Sequence, residues 1–202
     1  MKALLLIDIQ NDFIPNGALA VPGGDEIIDV VNKLQSHFEL VVATQDWHPA
    51  NHKSFASQHD GKQVFEKTVL NGMEQVFWPD HCVQGTAGAT FSPKLNMNRI
   101  EAIFRKGMDA GIDSYSGFYD NGHLKSTGLA DYLKGKGVTA IYIAGLAGDY
   151  CVYFSATDAI AEGFQVYLIE DAIRSINAVD FEKAKKDIVS KGGSVISSKD
   201  VL

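Results

Sequence analysis

Val138-Thr139-Ala140-Ile141-Tyr142-Ile143-Ala144-Gly145-Leu146-Ala147-Gly148-Asp149-Tyr150-Cys151-Val152 is the stretch that decides the fold. It opens on a strongly apolar run and leads into a helix-like pattern through Phe154, Ala156, Ile160 and Ala161. A strand apolar on both faces and followed at once by a helix belongs in a parallel sheet covered by helices. Cys151 then stands at a strand-to-helix turn. The unpaired N–H groups that open a helix, together with its dipole, favour a thiolate there and can hold a developing oxyanion. A lone cysteine is more often a packed hydrophobe, so its role depends on which other reactive residues fall at the same level of the sheet.

The pattern repeats in both directions. Residues 2–7 read as a buried strand with Asp8 at its carboxyl end. Ile27, Ile28, Val30, Val31, Leu34 and Phe38 recur at helical spacing, with Asp25 and Glu26 in the first turn. Residues 40–44 form the next strand and deliver Asp46, Trp47 and His48. From about 46 to 95 the periodicity is lost, which predicts a loop-rich excursion, of a length that is usually functional. Residues 100–104 make a strand leading into Arg105 and Lys106. A second irregular stretch spans 108–122, and Leu129, Tyr132 and Leu133 mark a short helix. Beyond Cys151, strands are predicted at 165–169 and 194–197, separated by a helix over about 179–189. Strands alternating with helices predict a doubly wound, mostly parallel six-stranded α/β sheet with helices on both faces, a three-layer sandwich forming one domain over 1–202.

With 202 residues and 46% hydrophobic content, the chain can fill such a core. A net charge of −7 argues against nucleic acid and membrane surfaces, which require clustered Lys and Arg. No apolar run approaches the roughly 20 residues of a membrane helix, and the short first run, broken by Asp8, does not read as a signal peptide. Two cysteines, without a Cys-X-X-Cys pair, suit a reducing cytoplasm and disfavour thiol redox chemistry. The first strand leads into Asp-Ile-Gln-Asn-Asp, not a glycine-rich phosphate loop, which disfavours a dinucleotide-dependent oxidoreductase. A small molecule is the expected partner, and assembly into a homo-oligomer stays open.

Ligands of open parallel sheets bind beyond the carboxyl ends of the strands. Asp8, Asp46, His48, Lys106 and Cys151 come from four strands, and each falls at or just past such an end. Any one alone reads as a solvated tip residue; five together point to a site. Cys, Asp and Lys suffice for acyl transfer: Cys151 attacks a carbonyl, Asp8 takes the thiol proton and returns it to the leaving amine, and Lys106 adds charge that favours the thiolate. Asp46 and His48, two apart in an extended segment, point to the same side. With His81, from Trp78-Pro79-Asp80-His81-Cys82, they form a donor set suited to a divalent ion such as zinc. His52 is either a fourth ligand or an outer imidazole. His37, His59 and His123 read as surface residues, and Cys82 as a packed thiol.

These stretches resemble the nicotinamidase branch of the isochorismatase-like cysteine hydrolases. The resemblance is carried by Leu6-Ile7-Asp8-Ile9-Gln10-Asn11-Asp12-Phe13, Thr44-Gln45-Asp46-Trp47-His48-Pro49-Ala50-Asn51-His52, Trp78 to Thr86, Arg105-Lys106-Gly107 and Gly145 to Val152, and it extends over nearly the whole chain. It implies hydrolysis of nicotinamide to nicotinate and ammonia through a thioester on Cys151, feeding NAD salvage. It also implies one divalent metal on Asp46, His48 and His81, zinc foremost and iron or manganese as alternatives, which binds the pyridine nitrogen. Phe13 and Trp78 would sandwich the ring and Tyr115 line the same pocket. A cis peptide at Leu146-Ala147 would shape an oxyanion hole from the Ala147 and Cys151 N–H groups. One position departs from the branch: Gly148 stands where a threonine is usual, which removes a hydroxyl beside the nucleophile. Two rivals are an amidohydrolase of the same superfamily acting on ureido or carbamoyl substrates, and a non-catalytic metal- or ligand-binding domain. The second would have no need of Asp8, Lys106 and Cys151.

Overall fold

The central strand, β1 (Lys2–Ile7), is built from five consecutive apolar residues, Ala3 to Ile7, all fully buried in the computed structural model, which describes residues 1–202. The chain continues through α1 (Ile28–Leu34), β2 (Leu40–Asp46), a hairpin of β3 (Lys67–Leu70) and β4 (Met73–Val76), and β5 (Ile100–Lys106). Then follow α2 (Leu129–Gly135), β6 (Ala140–Gly145), α3 (Tyr153–Ala161), β7 (Gln165–Ile173), α4 (Ala178–Ser190) and β8 (Ser194–Ile196). Six strands pair in the order β5-β2-β1-β6-β7-β8, every pair parallel, while β3 and β4 pair antiparallel outside this sheet. The doubly wound sheet read from the sequence is therefore present and wholly parallel.

Successive β1 residues face opposite layers, as the period of a strand requires. Leu4 and Leu6 pack with Ile28, Val31 and Leu34 of α1. Ala3, Leu5 and Ile7 pack with Leu129 and Leu133 of α2, Ala156 and Ala159 of α3, and Ala184 and Ile188 of α4. The chain winds outward from β1 through β2 to β5, crosses back to β6, and winds outward again to β8. Right-handed crossovers running in opposite directions put their helices on opposite faces and leave a crevice where the direction reverses. That crevice lies between β1 and β6, the strands that lead to Asp8 and Cys151.

Several boundaries differ from those read in the sequence. β2 and β5 extend to Asp46 and Lys106, so these two residues are direct partners across the sheet and not loop residues. β6 starts at Ala140, because the Val138 N–H closes the end of α2 on the Leu133 carbonyl. β7 runs on to Ile173 through a register shift opposite Gly145. A side chain at Gly145, which has φ of 129°, would reach to 2.1 Å from the Ile7 carbonyl oxygen. The 46–95 excursion holds the hairpin that loss of apolar periodicity concealed. Its turn, Asn71-Gly72 with φ of 51° and 81°, is the pair that two-residue hairpins favour.

Candidate active site

The pairing of Asp46 with Lys106 delivers the lysine ammonium into the crevice, with no exposed side-chain surface. Its nitrogen lies 2.9 Å from Asp46 Oδ1, 3.0 Å from the Ser114 carbonyl, 3.4 Å from Cys151 Sγ and 2.9 Å from Asp8 Oδ2. An ammonium has three N–H donors, which Asp46, Ser114, Asp8 Oδ2 and Cys151 share, so Asp8 Oδ2 is paired with the positive charge. Its other oxygen accepts the Thr44 hydroxyl at 2.6 Å, and the Asp8 N–H points back at the same Oγ1, 3.3 Å away. Thr44 therefore orients Asp8, whose other oxygen is turned to Lys106.

Burial pushes the Asp8 carboxyl above its ordinary range, a shift that Lys106 opposes without cancelling. For Lys106 burial acts against the charge, but Asp46 and Asp8 outweigh it and hold the ammonium protonated well beyond its usual range. At Cys151 burial and the two carboxylates oppose Lys106. Burial raises its thiol well above the ordinary value, Lys106 pulls it down, and Asp8 and Asp46 push it up again. Burial, the largest of these influences, favours the thiol over the thiolate. The reason is tertiary: Cys151 sits in a wide turn, Gly148–Val152, beneath the start of α3 and is only 7% exposed.

The second cluster adjoins the first through Asp46. Its Oδ2 lies 3.0 Å from His48 Nε2 and 3.4 Å from His81 Nε2. The Nδ1–H of His48 donates to the Gly107 carbonyl at 2.9 Å, and that of His81 to the Pro79 carbonyl at 2.8 Å. Both Nε2 atoms therefore aim lone pairs at a carboxylate oxygen. That is repulsive unless a proton or a cation sits among them. Donors about 2.05 Å from one tetrahedral ion stand about 3.3 Å apart, which matches these spacings. Burial alone would hold Asp46 protonated, but the Lys106 ammonium, and His48 and His81 wherever a proton on Nε2 lets them donate, pull it well below the usual range. His52 is arranged differently. The Ser54 N–H points at its Nδ1, so the neutral ring carries its proton on Nε2, and that atom is buried without a partner. Burial lowers its pKa to about 4, leaving it neutral against the His48 ring, with centroids 4.4 Å apart.

Residues 2–200 match the isochorismatase domain. The chain belongs to the isochorismatase family. A nicotinamidase of Escherichia coli is 49% identical over 180 residues, which cover 87% of this chain and 84% of the relative. The structure of a nicotinamidase/pyrazinamidase from Acinetobacter baumanii superposes with a TM-score of 0.97 at 46% identity, covering 100% of this chain and 98% of that one. A pyrazinamidase of Pyrococcus horikoshii solved in complex with zinc has a TM-score of 0.80 at 39% identity, covering 97% of this chain and 98% of the other.

Within this isochorismatase fold the two clusters share a narrow cavity of about 20 Å³, room for one water molecule. Phe13, Trp78 and Tyr115, expected at the site, line it with Asp46, His81, Ala147 and Cys151. Trp78 donates its indole N–H to the Tyr115 hydroxyl at 3.2 Å. The Leu146-Ala147 peptide is cis, and the Ala147 N–H donates to no protein acceptor. Gly148 has a packing reason: a Cβ there would lie 2.8 Å from the Phe181 ring and 3.0 Å from Ile173.

Sequence reasoning missed Thr44, Ser114, Gln10 and Tyr150. Thr44 was the last residue of a predicted strand, and its contact with Asp8 arises only because β1 and β2 pair. Tyr150, directly before Cys151, carried a legible signal; it lines the cavity with its ring centroid 4.9 Å from that of Trp78. His37 and His123 are exposed, and His59 is half-buried, with its Nε2 bonded to the Lys53 carbonyl at 2.8 Å. Cys82 is a fully buried free thiol.

Proposed function

We propose that this chain is a nicotinamidase, hydrolysing nicotinamide to nicotinate and ammonia in NAD salvage. The carrying observation is the shared carboxylate: Asp46 gives one oxygen to Lys106 beside Cys151 and the other to the His48–His81 pair. One short span thus joins a nucleophile to a site for anchoring a pyridine. Asp46, His48 and His81 are the residues that would hold a divalent ion, with zinc the first candidate given the zinc-bearing pyrazinamidase relative. Bound there, the ion supplies a Lewis-acidic anchor for the ring nitrogen.

The chain's own groups carry the reaction. Cys151 Sγ attacks the carboxamide carbon as its proton passes to the Asp8 carboxylate. The carbonyl oxygen turns toward the Ala147 and Cys151 N–H groups as charge develops. The tetrahedral adduct collapses, Asp8 returns the proton to the leaving nitrogen, and ammonia departs from a thioester. Water, deprotonated by Asp8, attacks the thioester and releases nicotinate and the thiol. Lys106 stabilises sulfur as it sheds its proton, and its bonds to Asp46 and Ser114 hold the ammonium in place. Phe13 and Trp78 enclose the ring, and Tyr115 closes the same wall.

Ammonia release from nicotinamide, with metal analysis of the same sample, tests the proposal. Turnover lost on chelation and restored by a divalent ion is expected. Turnover of ureido or carbamoyl compounds with none of nicotinamide would transfer the chain to the rival amidohydrolases.

A further inference from the structure

Three alternate residues of the stretch after β1 reach toward the site. Asp8 faces Cys151. Gln10, fully buried, grips the backbone of Asp46: its Oε1 accepts the Asp46 N–H at 2.8 Å and its Nε2 donates to the Asp46 carbonyl at 2.8 Å. The same Nε2 also donates to the Ala89 carbonyl at 2.9 Å. Asp12 accepts the Cys82 N–H on Oδ2 at 2.7 Å and the Ala18 N–H on Oδ1 at 3.1 Å. Cys82 directly follows His81, has φ of 47°, and offers its carbonyl to the His48 N–H at 3.0 Å.

We propose that Gln10 and Asp12 are positioning residues of the cation site: Gln10 fixes the backbone of Asp46, and Asp12 fixes the segment that presents His81 and anchors His48. The inference rests on the reading of Asp46, His48 and His81 as metal ligands. Its physical basis is that ligand atoms converging on one ion must be held against their mutual repulsion before the ion arrives. β2 ends at Asp46, where regular pairing with β1 has stopped at Ala43, so no ladder bond from β1 reaches that peptide. The Gln10 amide stands in for the missing strand, donating and accepting as a peptide would. His81 belongs to no helix or strand of the fold. The Asp12 carboxyl bonded to the N–H of the next residue, Cys82, which has a left-handed conformation uncommon for a residue with a side chain, sets where the His81 imidazole points. Gly88 makes room for this arrangement, since a Cβ there would lie 2.1 Å from Asp12 Oδ2. Outer partners of metal ligands change affinity by about 10- to 100-fold when removed.

The test compares wild type with Gln10→Met, which keeps the length of the side chain but loses the amide, and Asp12→Asn, which keeps the shape but loses the charge. Gln35→Met is the control. Gln35 is a fully buried amide far from the site, bonded to the Asn96 carbonyl at 3.0 Å. Each purified protein is stripped, its melting temperature measured, and its zinc dissociation constant read by competition with a chromogenic chelator. The expected result is zinc affinity about 10- to 100-fold weaker in Gln10→Met and Asp12→Asn, with Gln35→Met losing thermal stability but keeping wild-type affinity. Wild-type affinity in both site variants would overturn the proposal while leaving the metal reading intact. So would an equal loss of affinity in Gln35→Met, which would trace the effect to general destabilisation. Wild type that takes up no divalent ion would overturn the metal reading and this proposal with it.

Discussion

Replacing Gly148 by alanine tests whether packing, not catalysis, explains the absence of a side chain beside the nucleophile. The Gly148 backbone lies outside the left-handed region, and its N–H donates to the Arg174 carbonyl at 2.8 Å. Backbone conformation alone would therefore let alanine stabilise the fold by about 0.4–1 kcal/mol, through a less flexible unfolded chain. Opposing this, the new Cβ would stand 2.8 and 2.9 Å from two Phe181 ring carbons and 3.0 Å from Ile173 Cγ2. Overpacking of this kind costs about 1–3 kcal/mol. The net expectation is a loss of about 1–2 kcal/mol, or a melting temperature lower by about 2–8 °C for a chain of this size. Urea unfolding of Gly148→Ala, Phe181→Leu and the double variant gives the coupling. Removing ring atoms from α4 should cut the cost of alanine by about 1 kcal/mol or more. Equal costs in the two backgrounds, or a neutral Gly148→Ala, would refute the steric account.

Asp8→Asn should lower kcat by about 10²–10⁴, the range for removing a general base. Because burial raises the Asp8 carboxyl, and only its ionised form accepts a proton, kcat/KM should fall as pH drops through a value above the ordinary 3.8; a profile flat down to that value would remove Asp8 from the role. Cys151→Ala should abolish ammonia release while leaving metal content unchanged, and substantial remaining turnover would sink the thioester route. His81→Ala should lower zinc stoichiometry and raise KM, whereas full retention of metal would exclude His81 as a ligand. Gly107→Ala should disturb the metal site from outside it, since a Cβ there meets the His48 ring at 2.3 Å and φ is 66°. Metal analysis would show the loss, and unchanged binding would mean that His48 is free to move.

Much of the site was legible because chemistry and periodicity coincide in this chain. Apolar runs marked β1, β2, β5 and β6, and the reactive residues followed at their ends, where a parallel sheet exposes them. The β3–β4 hairpin was hidden because Lys67-Thr68-Val69-Leu70 and Met73-Glu74-Gln75-Val76 lie on the surface with little apolar alternation; only Asn71-Gly72 announced it. The depth at which Cys151 is buried was hidden for a similar reason. Spacing reveals that a lysine is near but not how deeply both groups are buried, and burial is the largest influence on the thiol.

The sequence by itself determined the alternation of strands and helices, and with it the level of the sheet at which Asp8, Asp46, Lys106 and Cys151 would stand. Side-chain pattern is local and survives without coordinates. The tertiary structure alone decided which atoms face one another. It divided the two oxygens of Asp46 between Lys106 and the histidines, set Asp8 Oδ2 against the same ammonium, and placed Phe181 over Gly148. Those outcomes depend on strand register and on burial, which arise only when segments distant in the chain, such as Asp46 and Lys106, 60 residues apart, are brought into contact.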